Sequence, residues 1–242
     1  MNSFSCEILK EITKFDVPTV CNALEILSNK HVGFYSKKSL PLRRFSSNER
    51  LIGYAATASI SSKIPDNGNS YEKLMNYYES VLNTHKPTIS VIFDEDEIPE
   101  GSFWGEVQAN THMAMGVIGT ITEGGVRDLP EINDMGFTAY STLIIPGHAY
   151  VHINTWGKQV EVCGTKVNQN DLIYIDMHGM VVIEKKYVEK LPVMCQKIMD
   201  AEEPIITLGA DCRLNGRLAS LDEIKIARKK MEEKRKETLK FI

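Results

Sequence analysis

Residues 101–131 read GSFWGEVQANTHMAMGVIGTITEGGVRDLPE, and this stretch decides the fold. Its first half is patterned as a helix, Glu106 to Met115, and its second opens on a β-branched run of strand type, Val117 to Thr122. Upstream, Pro87 introduces an apolar strand, Thr88 to Phe93. At ~1.5 Å per helical residue the helix covers about 15 Å, and at ~3.3 Å per strand residue the following strand covers about 20 Å. These lengths match a strand-helix-strand crossover. In such a unit the helix N-terminus and the C-terminal end of the second strand share one edge of the sheet, where open α/β sheets place ligands. Glu106 at one end should therefore lie beside Arg127, Asp128 and Glu131 at the other.

The chemistry of that edge follows from its parts. A helix N-terminus presents unpaired N–H groups and a positive dipole end, so the amides near Gly105, Val107, Gln108 and Ala109 suit a carboxylate. Arg127 adds a planar fork for the same anion or an adjacent keto oxygen. Asp128 offers a hard oxygen ligand of the kind that holds magnesium or manganese. Glu106 can hold one of the metal's waters and move a proton, and Gly124 and Gly125 let backbone approach a ligand closely. Spacing alone leaves a plainer reading open. Glu106 also serves as a first-turn acid, Arg127 and Asp128 as a surface pair, and Glu131 as a helix-start residue.

Outward from this stretch, apolar spacing predicts a helix over Ser5–Lys14, a turn at Asp16-Val17-Pro18, and a second helix capped by Thr19. Residues 30–50, with Lys37, Lys38, Arg43 and Arg44, read as a solvated loop. LIGYAATASISS (Leu51–Ser62) is a strand whose small residues imply close packing, and Ser70–Asn83 is a helix. The acids Asp94 to Glu97 read as a solvated strand end rather than a metal site. Short strands follow at Phe137–Tyr140, Leu143–Ile145, Tyr150–Ile153, Val160–Val162, Leu172–Ile175 and Met180–Ile183, implying a mixed sheet or second β layer. Helices close the chain, one over Val188–Ala201 and one opened by the Ser220 to Glu223 capping box.

The whole chain excludes several classes of function. At 242 residues, with 43% hydrophobic and 25% charged residues, it is long enough for one large domain and is neither disordered nor coiled coil. A net charge of -4 gives no global pull on nucleic acid, and the basic residues of the last helix are interleaved with acids. Five cysteines, Cys6, Cys21, Cys163, Cys195 and Cys212, are widely spaced without a Cys-x-x-Cys pair, as in a reduced cytosolic protein. No apolar run is long enough to span a membrane, and the first residues lack a signal-peptide pattern. The expectation is a soluble cytoplasmic protein without nucleic-acid or membrane partners.

WGEVQA, the twenty residues between Glu106 and Arg127, then GGVRD and Glu131 resemble the RraA-like family. That family includes the class II 4-hydroxy-4-methyl-2-oxoglutarate/4-carboxy-4-hydroxy-2-oxoadipate aldolases. PTVCNALE (Pro18–Glu25), LIGYAATA (Leu51–Ala58) and NDLIYIDMHGMVVI (Asn170–Ile183) extend the resemblance to about Ala201. The resemblance implies an α/β fold, a single swivelling β/β/α-type domain over 1–201 with mixed sheets and flanking helices. Residues 202–242 would be a C-terminal helical extension lying on a neighbouring subunit of a homotrimer or homohexamer. It implies pyruvate binding by the Gly105–Ala109 amides and Arg127, and magnesium or manganese held by Asp128, by Glu106 through water, and by Glu131. Glu202 or Glu203 of a neighbouring subunit is a further candidate. The activity implied is a metal-dependent lyase acting on a hydroxy-oxo-dicarboxylate, or an oxaloacetate decarboxylase, through a metal-stabilised pyruvate enolate without a Schiff-base lysine.

The chain departs from the family pattern at Glu106, where aldolases commonly have Asp, and at Asn22, where many members have Asp. TLIIPGHAY (Thr142–Tyr150) lacks the usual glycine-threonine-proline pattern and so leaves recognition of the distal half of the substrate open. His148 and His152 lie four apart, but Pro146-Gly147 argues against one continuous helix, and they read as structural or surface residues; Asp176 and His178 read equally as residues of the site rim or of a turn between two strands. Cys21 and Cys163 read as packing residues, and Tyr77 and Tyr78 as core or interface aromatics. Two other classes of function stand beside the lyase. One is a non-catalytic regulator that binds a ribonuclease. The other is a methyltransferase, for which no glycine-rich nucleotide loop follows a strand.

Overall fold

A computed structural model describes residues 3–31, 33–37 and 50–240; Lys38, Arg43 and Arg44 of the expected basic loop lie outside the described residues. In chain order the elements are helices α1 (Cys6–Ile12) and α2 (Val17–Ser28), strand β1 (Leu51–Ser61), helix α3 (Ser70–Leu82), strands β2 (Thr88–Asp94) and β3 (Ser102–Trp104), helix α4 (Glu106–Ala114) and strand β4 (Val117–Val126). Then come helix α5 (Leu129–Asp134), strands β5 (Thr138–Ile144), β6 (His152–Trp156), β7 (Val160–Val162), β8 (Thr165–Val167), β9 (Leu172–Asp176) and β10 (Gly179–Ile183), a 3-10 turn (Lys185–Lys190), and helices α6 (Leu191–Leu214) and α7 (Leu221–Leu239). Among the described residues, internal contacts group 3–5, 33–37 and 50–185 into one unit, and 6–31 and 186–240 into another.

The first unit is built on a mixed sheet. β1 pairs in parallel with β2 along one edge, while its other edge is shared by two antiparallel strands, β9 against Leu51–Tyr54 and β6 against Ala58–Ser61. β4 lies parallel between β2 and β5, and where β2 ends, β3 takes its place beside Gly125 and Val126. β1 is buried along almost its whole length because both faces are covered. Ala56, Ala58 and Ile60 join the core that includes Tyr77, Val81, Trp104 and Phe137, whereas Leu51 and Ala55 join the one beneath the β7–β8 hairpin. This is the period-2 alternation of a strand. Gly53 is required in that layer, since a Cβ there would sit 2.7 Å from the Pro87 carbonyl oxygen.

The expected crossover is present: β2 and β4 are parallel, with α4 between them in sequence. Four local expectations are corrected. β3 was not foreseen, because three residues carry no periodicity. The two short strands expected around residues 137–145 are one strand, β5. The helix expected to end at Ala201 runs to Leu214 with Pro204 inside it. α2 is capped by Asp16 rather than Thr19: the Asp16 carboxylate accepts the Thr19 N–H at 2.9 Å, and Pro18 sits in the first turn, where a missing N–H costs nothing.

The second unit is helical. α6 buries Leu191, Met194, Cys195, Ile198 and Ala201 and packs on α2 and α7, while α7 buries Ala227, Met231 and Thr238. Ser220 and Glu223 form a reciprocal capping box at the start of α7. No helix among the described residues is long and apolar enough to cross a membrane.

Candidate active site

Trp104, the last residue of β3, anchors one side of the site. It is fully buried, stacks on Phe137 with ring centroids 5.3 Å apart, and its carbonyl accepts the Arg127 N–H at 2.9 Å. The start of α4 is thereby tied to the end of β4. Gly105 follows as the N-cap of α4 and contributes no side-chain cap. The carboxylate of Asp128 supplies that function from across the chain, its Oδ2 accepting the Glu106 N–H at 3.0 Å. A Cβ on Gly105 would lie 2.5 Å from that oxygen and 3.1 Å from Arg127 Nε, so glycine makes the approach possible. Arg127 Nε stands 3.7 Å from the same Oδ2, and both side chains are about one third exposed at 35% and 39%.

The structure thus brings Gly105, Glu106, Arg127 and Asp128 together at one sheet edge. It narrows the donor set. The Ala109 N–H closes the first turn onto the Gly105 carbonyl at 2.9 Å and the Glu106 N–H is taken by Asp128, leaving Val107 and Gln108 as the first-turn amides. Both residues line a cavity of about 470 Å³ together with Ser102, Arg127, His148 and His152. The two histidines, read as structural or surface residues, are at least partly exposed and also line this cavity. β5 runs parallel to β4, so the Pro146-Gly147 turn beyond it emerges at the same edge as Arg127, and Arg127 Nη1 reaches the Pro146 carbonyl at 3.5 Å. In each histidine Nδ1 faces a backbone carbonyl, of Ala149 at 2.9 Å and of Tyr150 at 2.8 Å, which makes Nδ1 the donor.

The buried face of α4 carries a polar group that the sequence reading missed. His112 is wholly buried against Trp104, Phe103 and Tyr77, and loss of water holds its imidazole well below the usual value, at about 4. Its Nδ1 lies 2.7 Å from the Gln108 carbonyl oxygen, and its Nε2 lies 3.0 Å from the Tyr77 hydroxyl. Burial likewise raises Tyr77 and Tyr78 above the usual phenol range.

The other acids are placed elsewhere. Asp94 is buried at the end of β2, where loss of water pushes its carboxyl up to about 6, and Asp96 folds back to accept from Ser61 and Ser62. These two are structural groups rather than the solvated strand end expected. Glu131 is exposed in the first turn of α5. Glu202 and Glu203 belong to the helical unit, where Arg235 lies 3.3 Å from the first and Lys234 3.4 Å from the second. The hydroxyl of Thr207, then Lys234, holds the Glu203 carboxyl below its ordinary value.

Among the described residues no group of three or more His, Cys, Asp and Glu side chains could hold a metal. Magnesium needs fewer protein ligands, since it keeps several waters and binds through one or two carboxylates. Asp128 fits that demand: both of its polar contacts fall on Oδ2, and it is partly exposed beside a glycine cradle.

Comparison with known proteins agrees with this arrangement at the level of the fold. Streptomyces coelicolor RraAS2, described as an unusual member of the RNase ES inhibitor RraA protein family, matches with a TM-score of 0.64 at 16% identity over 84% of this chain and 96% of its own. Protein DlpA of Legionella pneumophila is 23% identical over 77% of this chain; the chain spans only 30% of that relative. The uncharacterized protein MJ0644 of Methanocaldococcus jannaschii is 24% identical over 84% of this chain and 90% of its own length. A family model described as RraA-like, Aldolase/RraA, matches residues 17–182, and the chain belongs to that family.

Proposed function

We propose that the chain is a magnesium- or manganese-dependent carbon–carbon lyase. Its substrate is a hydroxy-oxo-dicarboxylate of the 4-hydroxy-4-methyl-2-oxoglutarate type, and oxaloacetate is a related substrate for decarboxylation. One observation carries the reading. The Glu106 amide donates to Asp128 Oδ2 at 3.0 Å, and the same oxygen lies 3.7 Å from Nε of Arg127, which lines the 470 Å³ cavity.

Arg127 and the amides of Val107 and Gln108 bind the pyruvyl carboxylate. Asp128 is the residue that would hold the cation, with Glu106 reaching it through water and Glu131 one turn farther along. A bound divalent cation supplies Lewis-acid stabilisation of charge developing at the 2-oxo oxygen. Cleavage breaks the bond between C3 and C4, the 4-hydroxyl loses its proton, and C3 gains one; Glu106 moves a proton through an ordered water. Assembly into a homotrimer or homohexamer would lay the C-terminal helices on a neighbour, and Glu203 is the residue proposed to approach the site from there.

The test is pyruvate release from 4-hydroxy-4-methyl-2-oxoglutarate and from oxaloacetate, with magnesium and then with EDTA. Turnover that survives EDTA, or full activity in Asp128→Ala, would sink the mechanism. The second reading, a regulator that binds a ribonuclease, draws on the fold likeness to the Streptomyces protein. A ribonuclease retained from lysate, with no pyruvate released by the purified protein, would put that reading first.

A further inference from the structure

Both oxygens of Gln108 are committed to groups behind the cavity wall. Its backbone carbonyl lies 2.7 Å from His112 Nδ1, and its side-chain oxygen accepts the Tyr78 hydroxyl at 2.7 Å. A carbonyl only accepts, so His112 carries its proton on Nδ1 and leaves Nε2 as an acceptor. The Tyr77 hydroxyl, 3.0 Å away, must then donate to Nε2, and it receives the Ser90 hydroxyl at 2.8 Å. The buried chain runs in one direction, from Ser90 through Tyr77 and His112 to the Gln108 carbonyl. Tyr77 and His112 are fully buried, so no water competes for these bonds.

What Gln108 has left are donors. Its backbone N–H lies in the first turn of α4, and its side-chain NH2 has no partner among the described residues although the residue lines the cavity beside Arg127. We propose that this NH2 is a second anchor, beside Arg127, for the carboxylate of the oxo-acid substrate, and that Tyr78 is its positioning residue. The Tyr78 hydroxyl holds the amide so that its oxygen faces the protein and its nitrogen faces the ligand. Without that hydroxyl the amide is free to turn, and in half of its orientations an oxygen meets the anion. This rests on the lyase reading of the same cavity, and it assigns the side chain a role beyond that of the backbone amide.

The experiment uses the full chain in magnesium buffer, with oxalate binding followed by calorimetry and pyruvate release followed alongside. A hydrogen bond to a charged group is of the size that makes Gln108→Ala weaken oxalate about tenfold. Gln108→Glu, which puts an oxygen in place of the nitrogen, weakens it further. Tyr78→Phe weakens oxalate several-fold and raises KM more than it lowers kcat, but adds nothing in the Gln108→Ala background, because its effect passes through the amide. Oxalate binding in Gln108→Ala equal to the wild type overturns the anchor, and an undiminished effect of Tyr78→Phe in that background overturns the positioning role. If the wild type binds oxalate in this Gln108-dependent way yet releases no pyruvate, the anchor stands and the lyase reading falls. If the wild type does neither, both fall.

Discussion

His112 should make the protein lose stability in mild acid, by an amount its surroundings set. Burial holds the native imidazole at about 4, against a reference value of 6.5. The folded value is the lower one, so the unfolded chain binds the proton first. The stabilising effect of a neutral His112 is therefore complete above about pH 6.5 and is lost as the pH falls toward 4. At about 1.4 kcal/mol per pKa unit, moving from pH 7.5 to pH 5 should cost the native state about 2 kcal/mol through this residue alone. Urea unfolding at both pH values measures it, with His112→Gln as the non-titrating reference. The variant is less stable at either pH, since Tyr77 and the Gln108 carbonyl lose a matched partner, but its drop between the two should be smaller than the wild type's by about that 2 kcal/mol. The difference matters because Asp94 titrates in the same window with opposite sign. Equal drops in the two proteins would mean that His112 protonates as freely in the fold as out of it, and the directed chain to Gln108 could not be right.

Two further outcomes follow from close contacts. Gly105→Ala leaves the backbone unstrained, since φ is -158° and ψ -173°, but drives a methyl group toward Asp128 Oδ2. Magnesium-dependent pyruvate release should fall by about a hundredfold, as small misplacements of reacting groups do, while the melting temperature moves by only a few degrees. Asp94→Asn should stabilise the protein at pH 7.5, where the buried carboxylate is ionised and its Oδ2 has no hydrogen-bond partner among the described residues. Because the folded value of about 6 lies above the ordinary one, the wild type gains stability as the pH falls through 6, and thermal melts should show the advantage of the variant shrinking over that range.

The crossover was legible because its lengths and its periodicity agree. A helix of nine residues and parallel strands on either side leave few ways to return the chain, and Glu106 lands beside Asp128 as that geometry demands. Three residues of β3 have no period to read, yet they place Trp104 and hence the whole α4 start. His112 was invisible because a histidine in a helix carries no sign of burial until Tyr77, Tyr78, Phe103 and Trp104 are seen to close around it. His148 and His152 needed the order of the strands: only the parallel pairing of β4 with β5 shows that two loops distant in sequence open onto one cavity. Pro18 reads equally as a turn or as a first-turn helical residue, and the Asp16 carboxylate on Thr19 decides for the helix.

Asp128 holds its backbone in the left-handed region, at φ 53° and ψ 47°. A residue with a Cβ spends about 1 kcal/mol more there than glycine does, and asparagine tolerates the region well. Selection for heat resistance alone will therefore favour Asp128→Asn, which relaxes the turn and keeps an amide oxygen to accept the Glu106 N–H, but removes the carboxylate charge proposed to hold the cation. A thermostabilised version of this protein has to be chosen by turnover at every round, or with position 128 withheld from the library, because here the most comfortable backbone and the working site call for different residues.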